Sequence, residues 1–179
     1  VTIEKKEGTI KGQRHVPVQD LPGIYSLSPY TPEEEISRKY LLEEEPDVIL
    51  NIVDSSNLER NLYLTTQLLE LDIPVVVALN FIDVSRRDGD KIDSRKLEKR
   101  LGCPVIETSA LKGEGIDMCI ARCIGIAETE DRHGHIDKTG TSFGTDVEKA
   151  IKDIKSVIGD IAPKRSRWLA IKAFERDEK

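Results

Sequence analysis

Four short stretches of this chain carry residue types whose chemistries complement one another: Thr2, then Asp20-Leu-Pro-Gly23, then Asn80-Phe-Ile-Asp83, then Thr108-Ser-Ala110. A carboxylate such as Asp20 can hold a magnesium-bound water, and a threonine hydroxyl such as Thr2 can complete the same coordination shell. A glycine at position 23 lets its backbone N–H approach a γ-phosphate that a side chain would obstruct. Asp83 can accept two hydrogens on one carboxylate, and guanine presents its N1–H and exocyclic amine side by side. Adenine has a lone pair where that N1–H should be, a mismatch that costs on the order of a few kcal/mol in a desolvated pocket. Asn80 can brace its loop and reach the base. Backbone N–H groups at Ser109 and Ala110 can donate to guanine O6.

Each stretch alone is weak. Asp-Leu-Pro-Gly is also an ordinary turn, Asn-x-x-Asp is more often a loop, Ser-Ala by itself carries nothing, and a threonine beside a chain start is usually just exposed. The signal is in their order, and in the placement of the three interior stretches directly after predicted strands. Open α/β sheets bind their ligands at the carboxyl ends of strands. The set predicts a GTP/GDP and Mg²⁺ site. One part is missing: no G-x-x-x-x-G-K-[S/T] loop occurs in the 179 residues, so the segment that should wrap the phosphates is expected to lie outside them. Position 24 is Ile, with no polar group to orient an attacking water, so no catalytic residue is assigned and unaided hydrolysis is expected to be slow.

The elements that must position these residues follow from the hydrophobic pattern. Residues 1–20 read as two strands around Lys11-Gly12, with Pro17 ill-suited to a ladder because it has no donor. Thr31-Pro-Glu-Glu34 is a helix start with a capping box, opening a helix that carries Ile36, Tyr40 and Leu41. Residues 47–53 and 74–79 are nearly continuous aliphatic runs, which suit parallel strands buried on both faces. Ser56 to Glu59 offers a second capping box before a helix through Leu62, Leu64, Leu68 and Leu69. Residues 94–101 form a short helix stopped by Gly102, residues 104–106 a third strand, and residues 115–127 a further helix. This alternation is the grammar of βαβ units and a parallel sheet with helices on both faces. The expected domains are a nucleotide-binding unit over 1–127, a polar linker over 128–144 and a small, incomplete all-α unit over 145–179. In that last unit Thr145 and Glu148 offer a third capping box. Val147, Ile151, Ile154, Ile158 and Ile161 form one apolar stripe, and Trp168, Ile171 and Phe174 mark a final helix. Two helices bury little alone, so this unit is expected to dock on the sheet, continue beyond residue 179, or both.

Composition fits a globular chain, with 38% hydrophobic and 34% charged residues. The net charge of −6, with dispersed basic residues, argues against a nucleic-acid partner. No apolar run approaches the roughly 20 residues of a membrane span, and no signal peptide opens the sequence. Cys103, Cys119 and Cys123 fit no disulfide pattern, which points to a reducing cytoplasm. Cys119 and Cys123 with His133 and His135 could hold a metal, but the spacing is not a standard zinc pattern. The two cysteines read more simply as small buried hydrophobes. Lys164, Arg165 and Arg167 read as the exposed start of a helix, or as a patch near anionic lipid.

Several longer stretches resemble the cytoplasmic G domain of the ferrous iron transport protein B family. They are Asp20-Leu-Pro-Gly-Ile-Tyr-Ser-Leu27, Tyr30-Thr-Pro-Glu-Glu34, Asn57-Leu-Glu-Arg-Asn-Leu-Tyr63, Gln67-Leu-Leu-Glu-Leu71 and Arg167-Trp-Leu-Ala-Ile-Lys172. The opening Val1-Thr-Ile-Glu-Lys-Lys-Glu-Gly8 resembles that family's first switch. The resemblance implies a Ras-like P-loop NTPase sheet lacking its first strand, followed by a small helical domain. Both would lie at the cytoplasmic face of a Fe²⁺ permease, with homo-oligomers as a further expectation. It implies that Thr2 is the switch I magnesium threonine and Asp20 and Gly23 the switch II pair. Asn80 and Asp83 would be the guanine readers, and Ser109 and Ala110 the last guanine-contacting loop. Departures are Phe81, where Asn-Lys-x-Asp has lysine, and Gln19, where an apolar residue is common. In the family the absent first strand lies between the strand ending at Gln19 and the one at 48–53. Rival expectations are a soluble GTPase of ribosome assembly or RNA modification, and a non-catalytic module that has lost nucleotide binding.

Overall fold

A computed structural model describes residues 6–129, 143–159 and 165–177. The chain divides into two compact units, Val1–Glu45 and Pro46–Lys179.

In the first unit, β1 (Lys6–Ile10) and β2 (Gln13–Asp20) form an antiparallel hairpin, with Lys6 opposite Asp20 and Thr9 opposite Pro17. The left-handed turn residue is Gly12 at φ 82°. The register shifts between Thr9 and Ile10, next to the pair containing Pro17, where the ladder lacks an N–H donor. After the Asp20–Gly23 loop comes α1 (Pro32–Glu43), which opens on the predicted capping box. The Glu34 N–H donates to Thr31 Oγ1 at 3.3 Å, and the Thr31 N–H donates to Glu34 Oε2 at 3.1 Å. The helix buries Ser37, Arg38 and Leu41, while Ile36 and Tyr40 are only half-buried. The Ser37 hydroxyl reaches the Pro22 carbonyl at 3.5 Å, which ties the helix to the Asp20–Gly23 loop.

The second unit is built on a parallel sheet of β3 (Ile49–Asp54), β4 (Val75–Asn80) and β5 (Val105–Glu107), in the order β3-β4-β5. Between them run α2 (Leu58–Leu69), α3 (Ile82–Asp88) and α4 (Ser94–Leu101); α5 (Ile116–Ala127) follows β5. Val76, Ala78 and Ile106 face α5, where Cys119, Cys123 and Ile126 complete one core layer. On the other face, Asn51 Nδ2 donates to Thr65 Oγ1 of α2 at 2.7 Å, both residues being buried. The α/β architecture with helices on both faces is therefore as the sequence predicts. Burial pushes the Cys123 thiol up to about 11 and the Cys103 thiol to about 12, so these groups behave as hydrophobes. His133 and His135 lie outside the described residues.

Three expectations need correction. First, β3 is not buried on both faces: Leu50 is 42% and Ile52 65% exposed. β3 is the edge strand of the β3-β4-β5 sheet. A continuous apolar run records what a strand can bury, whereas its actual burial depends on neighbours elsewhere in sequence. Second, Ser56 does not cap α2. The Ser56 N–H and hydroxyl both donate to Asp54 Oδ1, at 2.8 and 2.7 Å, in a 3-10 turn over Ser55–Asn57. Third, Thr145 lies inside α6 (Thr145–Ile158), whose cap position is Gly144 with no side-chain bond.

Glu148 is engaged instead by Arg167 at the start of α7 (Ser166–Phe174). Arg167 Nη1 and Nη2 donate to Glu148 Oε2 and Oε1 at 2.8 and 2.9 Å, and Nε donates to Glu70 Oε2 at 2.6 Å. Arg167 is thus not surface: its side chain is 17% exposed and that of Glu70 6%. This guanidinium fixes the α6–α7 pair, with its core of Ile151, Ala170 and Ile171, to the end of α2. Lys164 and Ile161 lie outside the described residues.

Candidate functional site

The exits of β4 and β5 carry the two loops on which the guanine reading depends. Asn80 ends β4 and is 9% exposed; Thr108 and Ser109, just past β5, are 1% exposed. Asn80 Oδ1 accepts the Ala110 N–H at 3.0 Å and the Thr108 hydroxyl at 3.5 Å. The Ile82 N–H donates to the Thr108 carbonyl at 3.2 Å. One buried amide thus locks the Asn80–Asp83 loop against the Thr108–Ala110 loop, residues about thirty positions apart in sequence.

Asp83 lies in the first turn of α3, a helix the sequence reading did not predict. Its seven residues are too short for a periodic stripe, and its cap is Phe81 at φ 63°, a left-handed conformation uncommon for a bulky residue. α3 is held by two adjacent side chains. The Ser55 and Ser85 hydroxyls meet at 2.8 Å, and Arg86 Nη2 donates to Glu107 Oε2 at 2.6 Å. The Ser94 hydroxyl donates to the other Glu107 oxygen at 2.8 Å, so one carboxylate at the end of β5 anchors both α3 and α4. Phe81 is 48% and Leu111 93% exposed, so the loop pair also presents apolar surface.

The Asp83 carboxylate is not bare. Burial alone would raise its pKa, but hydrogen bonds from the Ser109 and Lys112 side chains and the Lys112 charge outweigh that and hold it below the ordinary range. Lys112 Nζ stands 3.3 Å from Asp83 Oδ2. The sequence reading did not single out Lys112. It is one basic residue among 27, and only the folded turn brings it to Asp83. That turn is closed by Ser109 and Glu114, each donating its N–H to the other's carbonyl at 3.1 Å. Gly115 ends it at φ 75°, where an added Cβ would stand 2.2 Å from the Glu107 carbonyl oxygen. Gly115→Ala is therefore expected to destabilise the unit by about 1–3 kcal/mol from the left-handed backbone alone. The shift would be read from urea denaturation midpoints.

The switch candidates lie in the first unit. Asp20 is the exposed last residue of β2. Gly23 is exposed, and a Cβ there would meet no protein atom within 4 Å, so the fold itself does not demand glycine. Ile24 is half-buried. Thr2 lies outside the described residues. Among the described residues no group of three or more His, Cys, Asp or Glu is placed to hold a metal ion, and no helix is long and apolar enough to cross a membrane.

A parallel sheet whose strand exits bear an Asn-x-x-Asp loop locked to a Ser-Ala loop has the architecture of a G domain. Comparison with known proteins supports that class. Residues 1–123 match the family described as Ferrous iron transport protein B, and residues 143–179 match the FeoB cytosolic helical domain. The chain belongs to the ferrous iron transport protein B family. It is 40% identical to the Fe(2+) transport protein A/Fe(2+) transporter FeoB fusion protein of Porphyromonas gingivalis, matching over 99% of this chain and 22% of that protein. It is 38% identical to the Fe(2+) transporter FeoB of Escherichia coli, over 99% of this chain and 23% of that protein. It thus spans less than a quarter of the length of these relatives.

Among solved structures, the mGMPPNP-bound NFeoB of S. thermophilus superposes with a TM-score of 0.86 at 47% identity, covering 99% of this chain and 65% of that one. NFeoB of the same organism bound to GDP.AlF4- and K+ gives a TM-score of 0.84 at 46% identity, covering 99% and 68%. The family assignment leaves no support for the rival reading as a GTPase of ribosome assembly or RNA modification.

Proposed function

We propose that this chain is the guanine-nucleotide-sensing portion of a ferrous iron transporter. The observation that carries this reading is the Asn80–Ala110 lock with Asp83 beside it at the sheet's rim. The lock fixes the loop on which Asp83 stands, so its carboxylate is preorganised to accept the N1–H and exocyclic amine of guanine. The exposed faces of Phe81 and Leu111 offer apolar contact for the purine ring. The Ala110 N–H serves guanine O6 as a three-centre donor, shared with Asn80 Oδ1. Relatives solved with GDP.AlF4- or mGMPPNP support the same ligand class.

In this reading residues 1–127 serve the nucleotide and residues 145–179 form a helical appendage, with 128–144 between them. Asp20 and Thr2 would hold Mg²⁺. Asp20 fits, being an exposed hard-oxygen donor at a strand exit. When bound, the ion would neutralise charge on the phosphates. Ile24 cannot orient water, so hydrolysis is slow and the nucleotide acts as a timer for a conformational signal to the permease. The 179 residues hold no phosphate loop, so nucleotide binding in this reading needs the full-length gene product.

The test is titration of that gene product with fluorescent GDP, with ADP as competitor. GDP binds in the micromolar range or tighter and ADP does not displace it; equal displacement by ADP would overturn the reading. Gly23 gives a second check. Gly23→Ala leaves stability within about 0.5 kcal/mol, because the new methyl meets no protein atom. It weakens GTP relative to GDP by roughly 10-fold, because the methyl obstructs an N–H approaching the third phosphate. Competition binding of the two nucleotides reads this directly.

A further inference from the structure

The recognition groups at the β4 and β5 exits are satisfied from within the chain. The Ala110 N–H is taken by Asn80 Oδ1, the Ser109 N–H by the Glu114 carbonyl, and the Asp83 carboxylate by Lys112. Of these, only the Lys112 contact is ionic. Lys112 Nζ lies 3.3 Å from Asp83 Oδ2, with the lysine side chain 54% and the aspartate 18% exposed. Its backbone is fixed, because the Lys112 N–H donates to the Ser109 carbonyl at 3.1 Å inside the turn closed by Ser109 and Glu114. The neighbouring cations are committed elsewhere: Arg86 to Glu107 at 2.6 Å and Glu114 at 3.9 Å, and Arg87 to Asp88 at 2.9 Å. Lys112 is therefore positioned on Asp83 by its own loop.

Guanine needs both oxygens of that carboxylate for its two adjacent N–H groups. An ammonium on Oδ2 occupies one of them. We propose that Lys112 is a tethered competitor for the purine: it pairs with Asp83 and must be displaced for guanine to reach both carboxylate oxygens, which lowers affinity and speeds nucleotide exchange. The inference rests on Asp83 being the guanine-reading carboxylate.

Two consequences separate this from a merely structural role. Removing a cation near an anionic ligand ordinarily weakens binding, whereas removing a competitor tightens it. Also, the Lys112–Asp83 pair is partly exposed and screened by salt, so its hold fades as ionic strength rises.

The experiment measures fluorescent GDP affinity and dissociation rate in the full-length gene product, for wild type, Lys112→Ala and Lys112→Arg, at low and about 1 M choline chloride. Lys112→Ala is expected to tighten GDP about 2- to 5-fold at low salt, the range an exposed ion pair supports. The gain should come with slower release, should collapse at high salt, and should be absent in Lys112→Arg. Equal or weaker binding by Lys112→Ala, or a gain that persists at high salt, overturns the proposal. If folded wild type and Lys112→Ala both ignore GDP, the guanine reading itself has failed and the proposal falls with it.

Discussion

Arg167→Ala is expected to cost about 3 kcal/mol of folding stability, a large share of the roughly 5–15 kcal/mol that holds a domain together. The guanidinium donates to two carboxylates, those of Glu70 and Glu148, and removing it takes a cation away from Glu70, which is 5% exposed. The figure sits at the lower end of the range for breaking a buried pair because Arg167 keeps some exposure. The double replacement Arg167→Met with Glu70→Leu is expected to recover part of the loss, since the buried Glu70 site then needs no counter-charge while the more exposed Glu148 still loses its partner. Urea denaturation of the variants checks both.

The same network has a pH signature. Hydrogen bonds from Arg167, together with its charge, hold the Glu148 carboxyl below its ordinary range, against the opposing effect of burial. A carboxyl depressed in the folded state stabilises above its unfolded pKa, and that contribution is lost as pH falls through the folded value. Wild type therefore loses stability on acidification from about pH 5 downward more steeply than Arg167→Ala does. Parallel pH curves for the two would exclude the network as the cause.

Asp83→Ala is expected to weaken GDP roughly 100-fold in the full-length gene product, through loss of two hydrogen bonds to a charged acceptor. Stability should change little. Asp83 is partly exposed, and its ion pair with Lys112 is of the solvent-screened kind that adds little to stability. A loss of affinity matched by a comparable loss of stability would instead mark Asp83 as part of the scaffold. Equilibrium titration and urea denaturation on the same preparation separate the two.

Much of this was legible in the sequence because it is local. The Thr31–Glu34 capping box, the Gly12 turn and the helix from Ser94 stopped by Gly102 each depend on residues within a few positions of one another, and all three form. What failed depends on distant partners. Ser56 and Thr145 have the right neighbours for capping. Asp54 takes both Ser56 donors, and Arg167, 19 positions on, takes Glu148. Arg167 and Glu70 are 97 positions apart, so a residue that reads as surface charge becomes the clamp between helices. The exposed Ile52 shows the same limit from the other side.

For the candidate site, residue types and strand exits pointed to Asn80, Asp83, Ser109 and Ala110, and the fold brings these four together. Neither the roles of the Glu107 anchor nor of Lys112 could be read in advance. Both arise from loop closure, which places side chains that no local pattern relates.

The most direct test exchanges the base. In the full-length gene product with Asp83→Asn, the amide offers one donor and one acceptor where the carboxylate offered two acceptors. Xanthine, with a carbonyl in place of the exocyclic amine, becomes the complementary purine. Competition of GDP against XDP is expected to favour GDP in wild type and XDP in Asp83→Asn. An unchanged preference for GDP in the variant would contradict the assignment of Asp83 as the residue that reads the base.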